Sequence, residues 1–167
     1  MLEDPFKKYD PQILEVVRNF RLLDDDFMTK VFEDKACLEL MLQIVMDIPT
    51  LKVKSFHIQD TLKNIQGRSV RFDVWAEDDA HTQYNIEVQR ADKGAGTKRA
   101  RYNSAMLDAN ITQPGDDCTD LPKTYVIFIT ENDILGKGQL CYRIERRYRV
   151  ERTGQYEIFD DDAHILY

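Results

Sequence analysis

The chain has 167 residues, 23 Lys and Arg against 30 Asp and Glu, a net charge of −7, and 43% hydrophobic residues. This composition, with 8 Phe, 8 Tyr and 1 Trp, excludes a disordered chain and provides a core for one folded domain. No stretch approaches the ~20 apolar residues of a membrane span, and the polar first ten residues lack the apolar region of an export signal. Three widely spaced cysteines without CxxC pairing are typical of reduced thiols. We therefore expect a cytoplasmic protein with no membrane partner.

The first third of the chain has helical periodicity. Asp10-Pro11 is a helix-start signal, and apolar residues follow it at helical spacing, namely Ile13, Leu14, Val17 and Phe20. A second helical region is predicted from about 26 to 47, with Pro49 as its stop. Its apolar stripe consists of Phe27, Val31, Leu38, Met41, Leu42 and Val45.

The hydrophobic period changes after Pro49. Residues 51–58, 69–76 and 83–90 alternate apolar and polar side chains, which predicts three half-buried strands. A helix is then predicted over 97–111, because Thr97 is a suitable N-cap and Pro114-Gly115 terminates it.

The last third of the chain returns to strand patterns. Residues 125–129 (YVIFI) form a continuous apolar run, which is typical of a strand covered on both faces. Residues 140–150 alternate again, and Thr153-Gly154 is a turn into 156–159. The order of elements predicts an α/β fold with a mixed central sheet flanked by helices.

Two of the predicted strands form a hairpin whose register can be read from the sequence. Even-numbered residues are apolar on both strands, and the polar loop EDDAHT lies between them. Centring the hairpin near Ala80 gives three apolar cross-strand pairs that face one core: Phe72 with Val88, Val74 with Ile86, and Ala76 with Tyr84.

The same register places Asp73 opposite Glu87 on the other face of the hairpin. Directly opposed side chains lie ~4.5–5.5 Å apart at Cβ, and like charges there destabilise a sheet. One explanation is a Mg²⁺ ion held by both carboxylates, by a backbone carbonyl such as that of Val88, and by waters. The alternative is that both acids point into water or pair with Arg71 and Arg90.

Two short segments are basic in this acidic chain. Residues 90–101 have a net charge of +4, and residues 143–152 have a net charge of +3. A solvated face is the ordinary explanation of such segments, and the overall acidity counts against a nucleic-acid partner. A nearby acidic site would instead make the first segment a candidate for phosphate binding.

The run VRFDVWAEDDAHTQYNIEVQ, followed by RARYNS, resembles the Rpn-type (recombination-promoting nuclease) branch of the PD-(D/E)XK nucleases, also called PD-(D/E)XK family transposases. That family has an Asp on one core strand, IExQ on the next strand and RxRxY on the following helix. The similarity extends from about residue 24, where DDDFMTKVFEDK is similar to the family's first helix, to the end of the chain. The matching motif residues are Asp73, Glu87, Gln89, Arg99, Arg101 and Tyr102.

The resemblance implies a restriction-endonuclease-like core and a metal-dependent DNA endonuclease that hydrolyses phosphodiester bonds in transposition or recombination. It assigns catalysis to Asp73, Glu87 and Gln89, and it assigns Mg²⁺ or Mn²⁺ binding to Asp73, Glu87 and the backbone carbonyl of Val88. A third acid often comes from the first core helix in this superfamily, and the candidates here are Glu33 and Glu39. Contacts to DNA are expected from Arg90, Lys98, Arg99, Arg101 and Tyr102.

The chain departs from the family's pattern in two respects. Gln89 stands where many relatives in the superfamily have Lys, and its amide cannot take a proton. The family's usual C-terminal helical part is absent, so residues 1–167 are expected to be a single domain and a fragment. These departures leave open a catalytically weak or inactive DNA-binding module of the same fold, or a protein-interaction scaffold. A homodimer also remains open.

Overall fold

The computed structural model describes residues 10–19, 21, 23–63, 69–90 and 95–167. Its helices are α1 (Pro11–Arg18), α2 (Asp25–Phe32), α3 (Lys35–Met46) and α4 (Thr97–Ile111). Its strands are β1 (Val53–Lys63), β2 (Ser69–Asp78), β3 (Gln83–Gln89), β4 (Thr124–Thr130), β5 (Arg143–Ile144), β6 (Arg147–Arg149), β7 (Tyr156–Ile158) and β8 (Ala163–Leu166). Within these described ranges, no helix is long and apolar enough to cross a membrane.

Six strands form the main sheet, in the order β1-β2-β3-β4-β8-β5, and β6 pairs with β7 in a separate ribbon. Strands β1, β2 and β3 pair antiparallel, whereas β3 with β4 and β4 with β8 pair parallel. Parallel neighbours need a crossover connection, and α4 lies within the connection from β3 to β4. The predicted mixed sheet flanked by helices is confirmed.

Helices cover both faces of this sheet. On one face, α2 and α3 bury apolar side chains against β3 and its neighbours, including Phe32, Leu38 and Leu42, each at most 1% exposed. On the other face, α4 packs through smaller clusters that contain Met106, Leu107 and Ala100. The apolar run predicted as a doubly covered strand is β4, which is buried over Val126, Ile127 and Phe128.

The predicted helical region from 26 to 47 consists of two helices rather than one. Asp34 interrupts it: its backbone is extended, and its carboxylate accepts a hydrogen bond from the Ala36 N–H at 2.8 Å, which caps α3. At the other end, Asp47 has a left-handed φ of 58° two residues before Pro49. The apolar stripe continues across Asp34, so the sequence pattern did not reveal this N-cap.

The predicted register of the hairpin is confirmed for Val74 with Ile86 and for Ala76 with Tyr84. The prediction that Phe72 shares their core is wrong. Phe72 packs with Met106 and Leu107 on the other side of the sheet, in what we call the α4-side cluster. The strands are irregular at this level: the pairing of β1 with β2 passes from Val74 to Phe72 across Gln59, whose φ is 57°. Strict alternation does not survive such an irregularity.

Smaller differences concern element boundaries. The strand predicted over 140–150 is broken into β5 and β6 around Glu145 and Arg146. The N-cap of α4 is Gly96 and not Thr97, and no side chain caps that end. The predicted apolar position Phe20 lies outside the described residues.

The new position of Phe72 makes a prediction about stability. Phe72→Leu and Leu107→Ala should be energetically coupled by about 0.5–3 kcal/mol, because both change the same α4-side cluster. Phe72→Leu with Leu42→Ala, on the opposite face, should be additive within about 0.5 kcal/mol. Urea unfolding of the single and double variants measures both values. Coupling to Leu42 instead of Leu107 would contradict the placement.

Candidate functional site

Asp73 and Glu87 lie on neighbouring strands at the level that the sequence predicted. The pairing of β2 with β3 includes Trp75 with Asn85 and Val74 with Ile86, so Asp73 is the next residue towards Glu87. The Asp73 carboxylate reaches across to β3, where its Oδ2 accepts a hydrogen bond from the Val88 N–H at 2.8 Å. Asp73 is thereby fixed beside the backbone that carries Glu87.

The side chain of Glu87 has 0% exposure and two polar neighbours. Its Oε1 accepts a hydrogen bond from the Asn85 side-chain amide at 3.1 Å. Its Oε2 accepts one from the Arg99 guanidinium at 3.1 Å, and the Arg99 side chain is 44% exposed. The carboxylate is therefore held by one buried neutral donor and one charged donor that reaches solvent.

The electrostatics of this site are those of two acids placed close together. The pKa of Glu87 is raised from 4.5 to about 7; burial is the largest cause, and the negative charge of Asp73 acts in the same direction. The hydrogen bonds from Asn85 and Arg99, and the charge of Arg99, lower the pKa and oppose this shift. The like-charge repulsion that the hairpin register predicted is thus present.

The donors at this site fit a divalent cation. Carboxylate oxygens are the ligands that Mg²⁺ and Mn²⁺ prefer, and a cation beside Asp73 and Glu87 would offset both the buried charge and the repulsion. The N–H and C=O of a strand residue point to the same neighbouring strand, so the Val88 carbonyl faces β2, as its N–H does. We take these three groups as the candidate ligands.

Gln89 and Arg90 follow Glu87 at the end of β3. Gln89 is half-buried and, by strand alternation, lies on the same face as Glu87. Arg90 forms an ion pair with Asp24, just before α2, at 2.7 Å. A DNA contact by Arg90 would compete with that ion pair.

The residues predicted on α4 are divided between different faces. Arg99 points to Glu87, whereas Arg101, two residues or about 200° further around the helix, is exposed. Lys98 is also exposed. Tyr102 packs beside Phe72 in the α4-side cluster, so its ring supports the helix.

The structure does not bring either candidate third acid to this site. Glu33, the residue that follows α2, pairs with Lys30 at 2.8 Å, and both side chains are more than half exposed. Glu39 accepts a hydrogen bond from the Val53 N–H at 3.1 Å. Val53 pairs with the last residue of β2, about 17 Å along that strand from Asp73. The helical pattern predicted the helical region that carries these acids, but it did not predict where their side chains point.

Two functional candidates were missed from the sequence. Asn85 and Asn103 are buried at 0% and 1% exposure, and Asn103 donates to Asn85 at 3.3 Å. Spacing could have indicated them, because Asn85 lies two residues before Glu87 on one strand face and Asn103 lies four residues after Arg99 on one helix face. Both are polar residues in positions that a core would otherwise fill with apolar ones.

Comparison with known proteins decides the family. A family model described as PD-(D/E)XK nuclease family transposase matches residues 27–167. The chain belongs to this family. Searches of curated proteins and of solved structures found no match. Membership confirms the resemblance drawn from the motifs and the restriction-endonuclease-like α/β fold. Nucleases of the PD-(D/E)XK type generally use divalent metals.

A second group of possible metal ligands lies away from the family's motif residues. Asp160, Asp162 and His164 have ligand atoms within 4.8 Å of one another, just before and within β8. Both aspartates are exposed, and Asp162 forms an ion pair with Lys123 at 3.1 Å. This group therefore provides a comparison for experiments on Asp73.

The raised pKa of Glu87 predicts a pH-dependent stability that Glu87→Gln removes. The folded chain holds this proton more tightly than the unfolded chain, so its stabilisation is complete below pH 4.5 and is lost as the pH rises through about 7. This difference in pKa corresponds to about 3 kcal/mol in the free energy of unfolding. The charged groups that face the carboxyl are Asp73 from β2 and Arg99 from α4. Urea unfolding between about pH 3 and pH 8 measures this pH dependence.

Glu77→Gln is the matched control for this prediction. The hydrogen bond from Lys54 is the largest cause of the lowered pKa of Glu77, so its stabilisation is present above pH 4.5 and is lost as the pH falls. The two variants should therefore change the pH dependence in opposite directions. Identical pH profiles for Glu87→Gln and the natural chain would show that Glu87 is not held in this environment.

Proposed function

We propose that this chain is a metal-dependent DNA endonuclease that hydrolyses phosphodiester bonds during transposition or recombination. The observation that carries the proposal is the approach of two acidic side chains from adjacent strands. Asp73 reaches the backbone beside Glu87, and its charge acts on the buried Glu87 carboxyl. Membership of a nuclease family supports DNA as the substrate.

Asp73, Glu87 and the Val88 carbonyl would hold Mg²⁺ or Mn²⁺. When bound, such an ion stabilises negative charge on a phosphate and makes a water molecule more acidic. The protein's own contribution is to hold the two acids in place. The Asn85 amide donates a hydrogen bond to Glu87, and the Val88 N–H donates one to Asp73.

Gln89 has a role in orientation and not in proton transfer. Its amide can donate to a phosphate oxygen and can accept from a water molecule, but it cannot remove a proton at neutral pH. Its place on the Glu87 face of β3 suits both contacts. The proton of the attacking water would then go to solvent or to the substrate phosphate.

The basic side chains of α4 would contact the DNA backbone. Arg99 has 44% of its side chain exposed while it donates to Glu87, so its guanidinium can also reach a phosphate. Arg101 and Lys98 are exposed at the start of the same helix. With Arg99, these charges make the start of α4 cationic in a chain whose net charge is −7.

Removal of Asp73 tests the enzyme directly. With Mg²⁺ or Mn²⁺ and supercoiled plasmid, Asp73→Ala should lower nicking by about 100-fold or more, because a metal ion supplies several kcal/mol of charge stabilisation. Gel separation of nicked from supercoiled plasmid gives the rate. Asp162→Ala is the control, since it removes a carboxylate from the second group of possible ligands. An equal loss of nicking rate in both variants, or a nicking rate that is unchanged in Asp73→Ala, would contradict the proposal.

A DNA-binding module without appreciable cleavage is the second candidate. Gln89 in place of a protonatable residue favours it, as does the Arg99 guanidinium that already neutralises Glu87. Binding of DNA that needs no metal and strengthens at low salt, in a chain that never nicks plasmid, would support this candidate. A scaffold protein would bind neither metal nor DNA.

Both DNA-dependent candidates make the same prediction for Arg101. Arg101→Ala should weaken DNA binding and reduce the slope of log affinity against log salt by about 1, because one phosphate contact is lost. Fluorescence anisotropy of a labelled duplex at several salt concentrations measures the slope. Lys35→Ala, on α3 at the opposite face of the sheet, should leave the slope unchanged. An unchanged slope for Arg101→Ala would remove this residue from the interface.

A further inference from the structure

A chain of buried hydrogen bonds connects α4 to Glu87 through residues outside the family's motifs. The Asn103 side-chain amide donates to Asn85 Oδ1 at 3.3 Å, and the Asn85 amide donates to Glu87 Oε1 at 3.1 Å. The three residues are 1%, 0% and 0% exposed. The chain ends on one oxygen of the carboxylate, and Arg99 holds the other oxygen.

The spacing of helix and strand makes both contacts possible at once. Arg99 and Asn103 are four residues apart on one face of α4, a rise of about 6 Å. Glu87 and Asn85 are two residues apart on one face of β3, a rise of about 6.6 Å. Arg99 meets Glu87 and Asn103 meets Asn85, so α4 runs antiparallel to β3 with matched spacing.

This network is costly for a core position. Buried amides lose their hydrogen bonds to water, and Asn103 Oδ1 has no hydrogen-bond partner among the residues that the structure describes. Two apolar side chains would fill the same space without that cost. The polar pair gains instead a directed donor on Glu87, which an apolar pair cannot supply.

We propose that Asn85 and Asn103 are positioning residues, which fix the Glu87 carboxylate in the orientation that lets it share one divalent cation with Asp73. Asn85 acts by direct contact, and Asn103 acts by fixing the amide of Asn85. This inference rests on the proposed function, because it takes Glu87 as a ligand of the cation.

Mn²⁺ binding to the purified chain without DNA tests the proposal by calorimetry. Asn85→Ala should weaken Mn²⁺ binding about tenfold, as loss of a contact that orients a ligand typically does. Asn103→Ala should weaken it in the same direction by less. The double variant should bind no more weakly than Asn85→Ala, because Asn103 reaches Glu87 only through Asn85.

Gln83→Ala is the matched control. Gln83 is an amide on the same face of β3, two residues before Asn85 and 8% exposed, so its loss disturbs the same strand. Its Mn²⁺ affinity should equal that of the natural chain. Unchanged affinities in Asn85→Ala and Asn103→Ala, with a fall in unfolding free energy like that of Gln83→Ala, would show a merely structural role and overturn the proposal.

A readout without metal separates this inference from the proposed function. Crystal structures of the natural chain and of Asn103→Ala should show the Glu87 carboxylate displaced in the variant. Alanine suits a helix interior, so this variant decides the matter even where Asn85→Ala does not fold. A carboxylate that stays in place overturns the inference. A displaced carboxylate in a chain that binds no Mn²⁺ upholds the positioning and removes the proposed function.

Discussion

The carboxylate of Glu87 is buried between the sheet and α4, and much of the surrounding structure is arranged around that charge. Taking an ionised carboxylate out of water costs several kcal/mol unless charges or hydrogen bonds compensate for it. Compensation here comes from Asn85 on the same strand and Arg99 on α4, while Asp73 opposes it. The β2–β3 hairpin places the two acids together, and α4 offsets part of the cost because its Arg99 pairs with Glu87.

Consequently, the elements that hold the site are the elements that hold the fold. Strand β3 is central in the sheet and is buried along nearly its whole length. Helix α4 covers the face that carries Glu87 and also provides the connection that lets β3 and β4 pair in parallel. A change that shifts α4 would alter both the packing of Met106 and Leu107 and the charge environment of Glu87.

Local patterns in the sequence predicted a large part of this arrangement. Strict alternation gave the pairing of Val74 with Ile86, and hence the approach of Asp73 to Glu87, because a strand has a fixed period of two. Alternation failed at Phe72, which packs on the α4 side of the sheet, beside the level at which Gln59 of β1 has a left-handed φ. Helical periodicity likewise ran through Asp34, because a cap inside an apolar stripe changes the backbone without changing the pattern.

The points on which the sequence gave a wrong indication or none depend on long-range placement. Glu39 sits on a helix of the expected type, yet α3 directs it to the first residue of β1. Spacing relates Asn85 to Glu87 and Asn103 to Arg99, but the contact between Asn85 and Asn103 follows only from the antiparallel packing of α4 on β3. The motifs therefore identified Asp73 and Glu87, whereas the residues that surround Glu87 became known only from the packing of α4.

The parallel pairing of β3 with β4 also has a consequence for how the molecule reaches its native state. The β2–β3 hairpin closes over a short loop, whereas the β3–β4 pair requires closure of a segment that contains all of α4. Contacts that are distant in the sequence form slowly, since the loss of chain entropy precedes their gain. The hairpin alone does not bury Glu87, because α4 covers the face that carries this residue. The burial that raises the pKa of this carboxyl therefore depends on contacts that are distant in the sequence.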